Sequence, residues 1–242
     1  MIPHTIHYCW FGGKPLPKSV VKCINSWKKF FPEWEIKQWD ESNFDINLIP
    51  YTREAASLGK WAFVSDYARF WILYHYGGVY FDTDVEVIRP MDDIIERGAF
   101  MSFEKSHSGL GVNSGLGIAA EKDSLIYQTI LEHYSKLHFI DNNGDVIPGT
   151  VVRHVTDVFK SHGLLLTDDI QIVAGITIYP NDYFNPLDDA TGVLNVTSNT
   201  RSIHHYAKTW CDNYGPVRTF LMRKLHRIFG VAFFSRVKNT FR

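Results

Sequence analysis

Val79-Tyr80-Phe81-Asp82-Thr83-Asp84-Val85-Glu86 is an apolar run that ends in two aspartates one residue apart. Read as a strand, it turns Asp82 and Asp84 to the same face, because side chains alternate with a period of two. Two carboxylates aimed at one point repel each other unless a cation lies between them. A hard divalent ion shared with a phosphate is the usual solution. The stretch therefore reads as a candidate site for a metal-bound diphosphate. Asp-x-Asp also occurs in plain surface turns, so its neighbours decide the reading.

Directly upstream, Trp61 to Tyr76 is the strongest helical segment of the chain, apolar nearly all round and stopped by Gly77-Gly78. A helix apolar on most faces is buried, and a glycine can supply the left-handed stop. Further out, Thr5 to Phe11 reads as a first strand closed by Gly12-Gly13. Ser19 to Phe31 reads as a helix capped by Ser19, and Trp34 to Trp39 as a second strand. Asp40 to Pro50 is loop, and a helix from about Thr52 or Glu54 breaks at Gly59. Downstream, strands are expected at Ala99–Phe103, Leu116–Ala120, Ile170–Val173, Ile176–Tyr179 and Ser202–Tyr206. Helices are expected at Ser124–His138 and Val151–His162. Helix and strand signals that alternate in this way imply an α/β fold with a mainly parallel central sheet. In such sheets ligands gather at the carboxyl ends of the strands, where the two aspartates fall.

The bulk properties narrow the function. A chain of 242 residues makes one large domain or two small ones. Hydrophobic and charged contents of 45% and 21% are those of a globular protein, while 15% aromatic residues is high and suits flat ligands such as bases and sugars. The net charge of −1 conceals a division of the chain. Pro216 to Arg242 holds seven Lys or Arg and no acid, which leaves 18 basic and 26 acidic side chains before it, a net −8. An acidic body with a basic tail is not a nucleic-acid-binding profile. Cys9, Cys23 and Cys211 show no metal-ligand spacing and read as free thiols of a reducing cytosol. The N-terminus does not read as a signal peptide, and no apolar run reaches the ~18 residues of a membrane span.

Other residues join the aspartates. Asp66 and Arg69 lie three apart on one helix face. A structural ion pair explains them by itself, but buried charge is costly, and this helix runs straight into the aspartate strand. Asp66 could then hold a ribose hydroxyl and Arg69 a phosphate or sugar oxygen. Trp10 is either a core tryptophan or a plate for a base, with Gly12-Gly13 letting a ligand approach the backbone. His204 and His205 precede Lys208 and Trp210. Alternation sends only one of the two imidazoles into the site, where it would complete an O,O,N donor set suited to Mn²⁺ or Mg²⁺. Lys208 would offset diphosphate charge. Asn113-Ser114-Gly115 is either a turn or an amide that orients a sugar hydroxyl.

Taken in order, Ile6-His7-Tyr8-Cys9-Trp10-Phe11-Gly12-Gly13, then Ser65-Asp66-x-x-Arg69, then Gly77 to Asp84, resembles the glycosyltransferases of the DXD sugar-binding class (family 32-like). This group includes yeast mannosyltransferases, bacterial capsule enzymes and, more distantly, the large clostridial glucosylating toxins. The likeness covers Thr5 to Glu86, and more loosely His204 to Trp210. It implies a GT-A fold and a nucleotide-sugar donor. It implies that Trp10 stacks on the base, Asp66 holds the ribose or donor sugar, and Arg69 the sugar or diphosphate. Asp82 and Asp84 would bind metal and donor, with Asp84 the more direct ligand. His205 resembles the late metal ligand, with His204 left open as the alternative. Lys208 resembles the diphosphate-binding lysine, Trp210 joins the donor-binding set, and Asn113 is carried over only loosely. Asp82, Asp84 and Arg69 would form the catalytic set, and the family transfers with retention of anomeric configuration.

The expected activity is transfer of a hexose from a UDP-sugar to a lipid-linked saccharide in bacterial capsule or surface-polysaccharide synthesis. UDP-galactose is the first choice, UDP-glucose the second, and GDP-mannose a third. The division expected is a catalytic domain over 1–215 and a basic amphipathic segment over 216–242. Such segments bind anionic membrane surfaces, here the inner face of the plasma membrane. A terminal helix packed on the catalytic domain, or a dimer contact, is the plainer account. Two other functions stand beside this one. A haloacid-dehalogenase-type phosphatase also places Asp-x-Asp after an apolar strand, but its pattern wants Thr or Val where Glu86 stands. A non-catalytic nucleotide-sugar-binding membrane protein would keep the same residues without turnover.

Overall fold

In this computed structural model, residues 1–107, 109–147, 149–207 and 216–230 are described. The first layer is built by β1 (Thr5–Cys9), α1 (Lys18–Phe30) and β2 (Glu35–Trp39). Pro17, not Ser19, precedes the first helical residue, and no side chain caps that end, so Ser19 lies inside the helix. Next come α2 (Pro50–Ser57) and α3 (Trp61–Tyr76), the latter with the bounds expected from its apolar pattern. Gly77 ends α3 at φ +65° and donates its N–H to the Leu73 carbonyl.

The strand after α3 is shorter than the apolar run suggests. β3 covers Gly78–Tyr80 only, and Asp82-Thr83-Asp84 forms a turn into β4 (Val85–Val87). The Val85 N–H closes that turn on the Asp82 carbonyl at 3.0 Å. The rest runs α4 (Asp92–Ile95), β5 (Phe100–Ser106), β6 (Gly109–Val112), β7 (Ile118–Ala120), α5 (Leu125–Tyr134) and α6 (Val151–Ser161). It closes with β8 (Gln171–Val173), β9 (Ile176–Tyr179), α7 (Asn181–Phe184), β10 (Ser202–His204) and α8 (Pro216–Phe229).

The main sheet has the order β2-β1-β3-β7-β5-β9-β8, with β6 paired to β5. β1 pairs parallel with both β2 and β3, and β5 parallel with β9. β7 lies antiparallel to both β3 and β5. Five strands of that path (β2, β1, β3, β5 and β9) therefore point one way, which makes the sheet mainly parallel with β7 reversed inside it. A small second sheet pairs β4 antiparallel with β10. Two buried apolar clusters cover the two faces. One gathers α2, α3, α5 and α6, the other α1 and the β4 region. The result is the mixed α/β architecture expected, with helices on both sides of the sheet. Among the described residues no helix is long and apolar enough to cross a membrane.

Candidate active site

The site begins with a buried cation. Arg69 lies on the inner face of α3 with its side chain 3% exposed. Its Nη2 contacts Asp66 Oδ1 at 2.8 Å and Asp82 Oδ1 at 3.1 Å. Nη1 donates to Ser114 Oγ at 3.2 Å, and Nε to the Ser65 carbonyl at 3.1 Å. A guanidinium has five donors in a fixed fork, and here all three nitrogens are spent on protein oxygens. Arg69 was expected at a phosphate or sugar oxygen; the contacts the structure gives it are to protein oxygens. Arg69 fixes Asp66 and Asp82 relative to each other. Leaving either carboxylate buried without it would cost about 3–5 kcal/mol.

Burial pushes the Asp66 carboxyl up to about 7, even with the Arg69 charge pulling it down. Asp82 is also raised by burial and by the neighbouring Asp84 charge, against Arg69 and His204. The Tyr80 hydroxyl donates to Asp82 Oδ1 at 3.0 Å. Asp84 differs. Burial would raise it, but His204 at 3.1 Å and the Ala207 N–H at 2.7 Å bring it down to about 2. In return His204, which burial alone would lower, is raised to about 9 by Asp84.

His204, not His205, is the imidazole beside the aspartates. His205 points the other way, pairing with Glu86 Oε2 at 2.8 Å on the far side of the β4–β10 ribbon. Lys22 holds the same carboxylate at 2.9 Å. Alternation along β10 sends successive side chains to opposite faces, and the register that pairs His204 with Val85 decides between them.

The two aspartates, Asp66, Asn113 and His204 open onto a cavity of about 550 Å³. Trp10 forms part of its wall, its indole Nε1 held by the Lys14 carbonyl at 2.6 Å. Asn113 is buried but committed on two sides. It accepts the Gly115 N–H at 2.7 Å and donates to Glu104. Lys208 and Trp210 lie outside the described residues. Three further residues of the site were not anticipated. Trp61 lines the cavity and lies over Gly12. It opens a helix so apolar that one aromatic among many carries no mark. Ser114 receives Arg69, and Glu104 receives Asn113; neither type nor spacing distinguishes them in the sequence.

The donors present suit a hard cation shared with a ligand. Among the described residues no group of three or more His, Cys, Asp or Glu side chains forms a ready-made cage. What exists is one ionised carboxylate, Asp84, facing a second across a turn, with the His204 imidazole alongside. Magnesium-like ions are commonly held by one or two carboxylates and completed by phosphate oxygens. The pair Asp82 and Asp84 fits that description. His204 stands where His205 was expected, but its ring is paired with Asp84 and held protonated, so in this state it is a donor to the carboxylate and not a metal ligand.

Comparison with known proteins agrees with this arrangement. Residues 17–101 match the family described as "Glycosyltransferase sugar-binding region containing DXD motif". That match ends beyond the aspartate turn and includes Asp66 and Arg69. Over those residues the chain is similar to the DXD-containing glycosyltransferases. It is 29% identical over 140 residues to inositol phosphoceramide mannosyltransferase 1 of Schizosaccharomyces pombe, covering 53% of this chain and 42% of that protein. It is 28% identical over 131 residues to the initiation-specific alpha-1,6-mannosyltransferase of Candida albicans, covering 50% of this chain and 33% of that one. The chain thus spans less than half the length of these curated relatives. A solved glycosyltransferase involved in glycosylation of the major capsid of PBCV-1 superposes with a TM-score of 0.49 at 11% identity, over 92% of this chain and 100% of that one.

Proposed function

We propose that this chain transfers a hexose from a nucleoside diphosphate sugar to an acceptor hydroxyl, with retention and with the help of a divalent cation. The observation that carries the reading is the aspartate turn itself. Asp82 and Asp84 face one cavity of about 550 Å³ that also holds Trp10, the size and lining of a small-molecule site. Trp10 offers a flat face to a base. Asp66 and Asn113 offer an acceptor and an amide to ribose or sugar hydroxyls. Asp84, kept ionised, and Asp82 would hold the ion, with His204 beside them.

A bound Mn²⁺ or Mg²⁺ supplies charge stabilisation for the departing diphosphate. Arg69 keeps the two carboxylates in place through the reaction. Among the described residues that line the cavity none is set as a nucleophile, which favours attack by the acceptor hydroxyl from the face the diphosphate leaves, with the departing phosphate taking its proton. The donor first in line is UDP-galactose, followed by UDP-glucose. The relatives' names add weight to a mannosyl donor, so GDP-mannose belongs in the same test. The acceptor is a lipid-linked saccharide in capsule or surface-polysaccharide assembly. The catalytic unit is 1–215, and the segment 216–242 holds it to the anionic inner face of the plasma membrane.

The test is a thermal-shift panel of UDP-galactose, UDP-glucose and GDP-mannose, each with and without Mn²⁺. A ligand that binds only the folded chain raises its melting temperature, by about 2.7 kcal/mol of added stability at a hundred times Kd. One donor should raise Tm only when Mn²⁺ is present. Asp84→Asn should remove that dependence and lower turnover at least a hundredfold, and its unliganded melt should fall below wild type because the buried His204 imidazolium loses its partner. Wild-type turnover by the purified variant would end the reading.

A further inference from the structure

Glu104 is a half-buried carboxylate at the site that the reaction as written does not use. It lies on β5, and the β5–β6 hairpin carries it to the site. Phe103 pairs with Val112 there, and the Asn113 N–H continues the ladder to the Ser102 carbonyl at 3.1 Å. Residues 102 and 104 share a face, so Glu104 and Asn113 become diagonal cross-strand neighbours. Their side chains meet, Asn113 Nδ2 donating to Glu104 Oε2.

A side-chain amide can face either way unless its partners differ in kind. Here they do. Asn113 Oδ1 accepts the Gly115 N–H at 2.7 Å, and Nδ2 donates to the carboxylate. A flipped amide would set N–H against N–H at Gly115 and oxygen against oxygen at Glu104. The pair therefore locks one orientation. It leaves one Nδ2 hydrogen and one Oδ1 lone pair for the cavity that Asn113 lines.

We infer that Glu104 is a positioning residue, which fixes the direction of the Asn113 amide and thereby the enzyme's discrimination between epimeric donor sugars. This rests on the glycosyltransferase reading above and extends it. A fixed donor–acceptor pair accepts a hydroxyl in one configuration and leaves buried polar groups unpaired against the other. Glu104 also bears electrostatically on His204 and Tyr206, so any influence on the ion must be held constant in the test.

The experiment uses the full chain and its Glu104→Gln and Glu104→Ala variants. kcat and KM are measured for UDP-galactose, UDP-glucose and GDP-mannose at saturating Mn²⁺. The ratio of kcat/KM between the two UDP epimers is the readout, since simple destabilisation lowers both values together. Gln keeps an oxygen that can accept from Asn113, so its ratio should stay within threefold of wild type. Ala should bring the ratio at least tenfold closer to one. Equal ratios in all three proteins would overturn the inference while leaving the transferase reading intact. If Glu104→Ala does not fold, Gln decides the matter together with Glu104→Asp, whose shorter arm cannot reach and should behave as Ala was expected to. Failure of the wild-type chain to turn over any of the three sugars would overturn both readings.

Discussion

Gly115 shows how closely the aspartate turn is packed. A Cβ there would lie 2.3 Å from Asp82 Oδ2 and 3.1 Å from Asn113 Oδ1. Asp82 cannot swing aside, because Arg69 and Tyr80 hold its other oxygen at 3.1 and 3.0 Å. Gly115→Ala must therefore displace either the carboxylate or the loop, an overpacking cost of about 1–3 kcal/mol. For a chain of this size each kcal/mol lowers Tm by about 2–4 °C. The variant should melt several degrees lower and lose at least tenfold in turnover, measured by calorimetry and by nucleoside diphosphate release. Unchanged turnover would mean that the position of Asp82 is not critical. The sequence offered Asn113-Ser114-Gly115 as a turn or an amide site, and the structure shows the turn, with Asn113 Oδ1 accepting the Gly115 N–H. Its use as a bracket against Asp82 depends on a contact across 33 positions of chain, which local pattern does not reveal.

At the scale of elements, legibility followed length and periodicity. α3 was read to the residue because its apolar run is long and Gly77 ends it. The aspartate strand was overextended, since an apolar run gives no sign of where it leaves the ladder. β4 and β6, of three and four residues, were missed because each is defined by a partner distant in sequence. The choice of His205 over His204 failed for the same reason: the register of β10 against β4 exists only in three dimensions.

The junction of β1, β2 and α3 carries a pH dependence that follows from one of these contacts. His7 accepts from Trp39 Nε1 at 3.1 Å and donates to the Gly77 carbonyl at 3.0 Å, so the fold holds it neutral. Burial, against the Gly77 hydrogen bond, pushes it down to about 4. The unfolded chain binds a proton below about 6.5 that the folded chain refuses. Stability is therefore full above 6.5 and declines as pH falls toward 4, by about 3 kcal/mol in all. His7→Gln should be less stable than wild type in urea at pH 7.5, with the gap narrowed by about 2 kcal/mol at pH 5. A gap that stays constant between the two pH values would refute this.

The whole molecule presents one face at odds with an ordinary terminal helix. α8 docks through its cations: Arg223 donates to the Asp189 carbonyl at 3.1 Å and Arg227 to the Thr191 carbonyl at 2.7 Å. His226 sits 2.8 Å from the Ala190 carbonyl. Apolar side chains face out instead, with Phe220, Leu221 and Ile228 exposed by 60%, 56% and 71%. Lys224, also exposed, lies over the Phe220 ring. Positions 220, 221, 224 and 228 fall along one side of a helix. Part of the basic charge read from the sequence is thus consumed by the protein body, and Arg236, Lys238 and Arg242 lie outside the described residues. The proposed membrane contact then rests on buried apolar area as much as on charge. Replacing Phe220, Leu221 and Ile228 together by serine leaves Arg223, His226 and Arg227 on their carbonyls, so the fold should persist. Co-sedimentation with anionic vesicles should fall at least tenfold, and a chain ending at Gly215 should fall as far. Raising salt should weaken the wild type only in part, because an apolar contribution is not screened. If the triple variant binds vesicles as wild type does, and salt alone releases both, the outward stripe has no part in holding the enzyme to a bilayer.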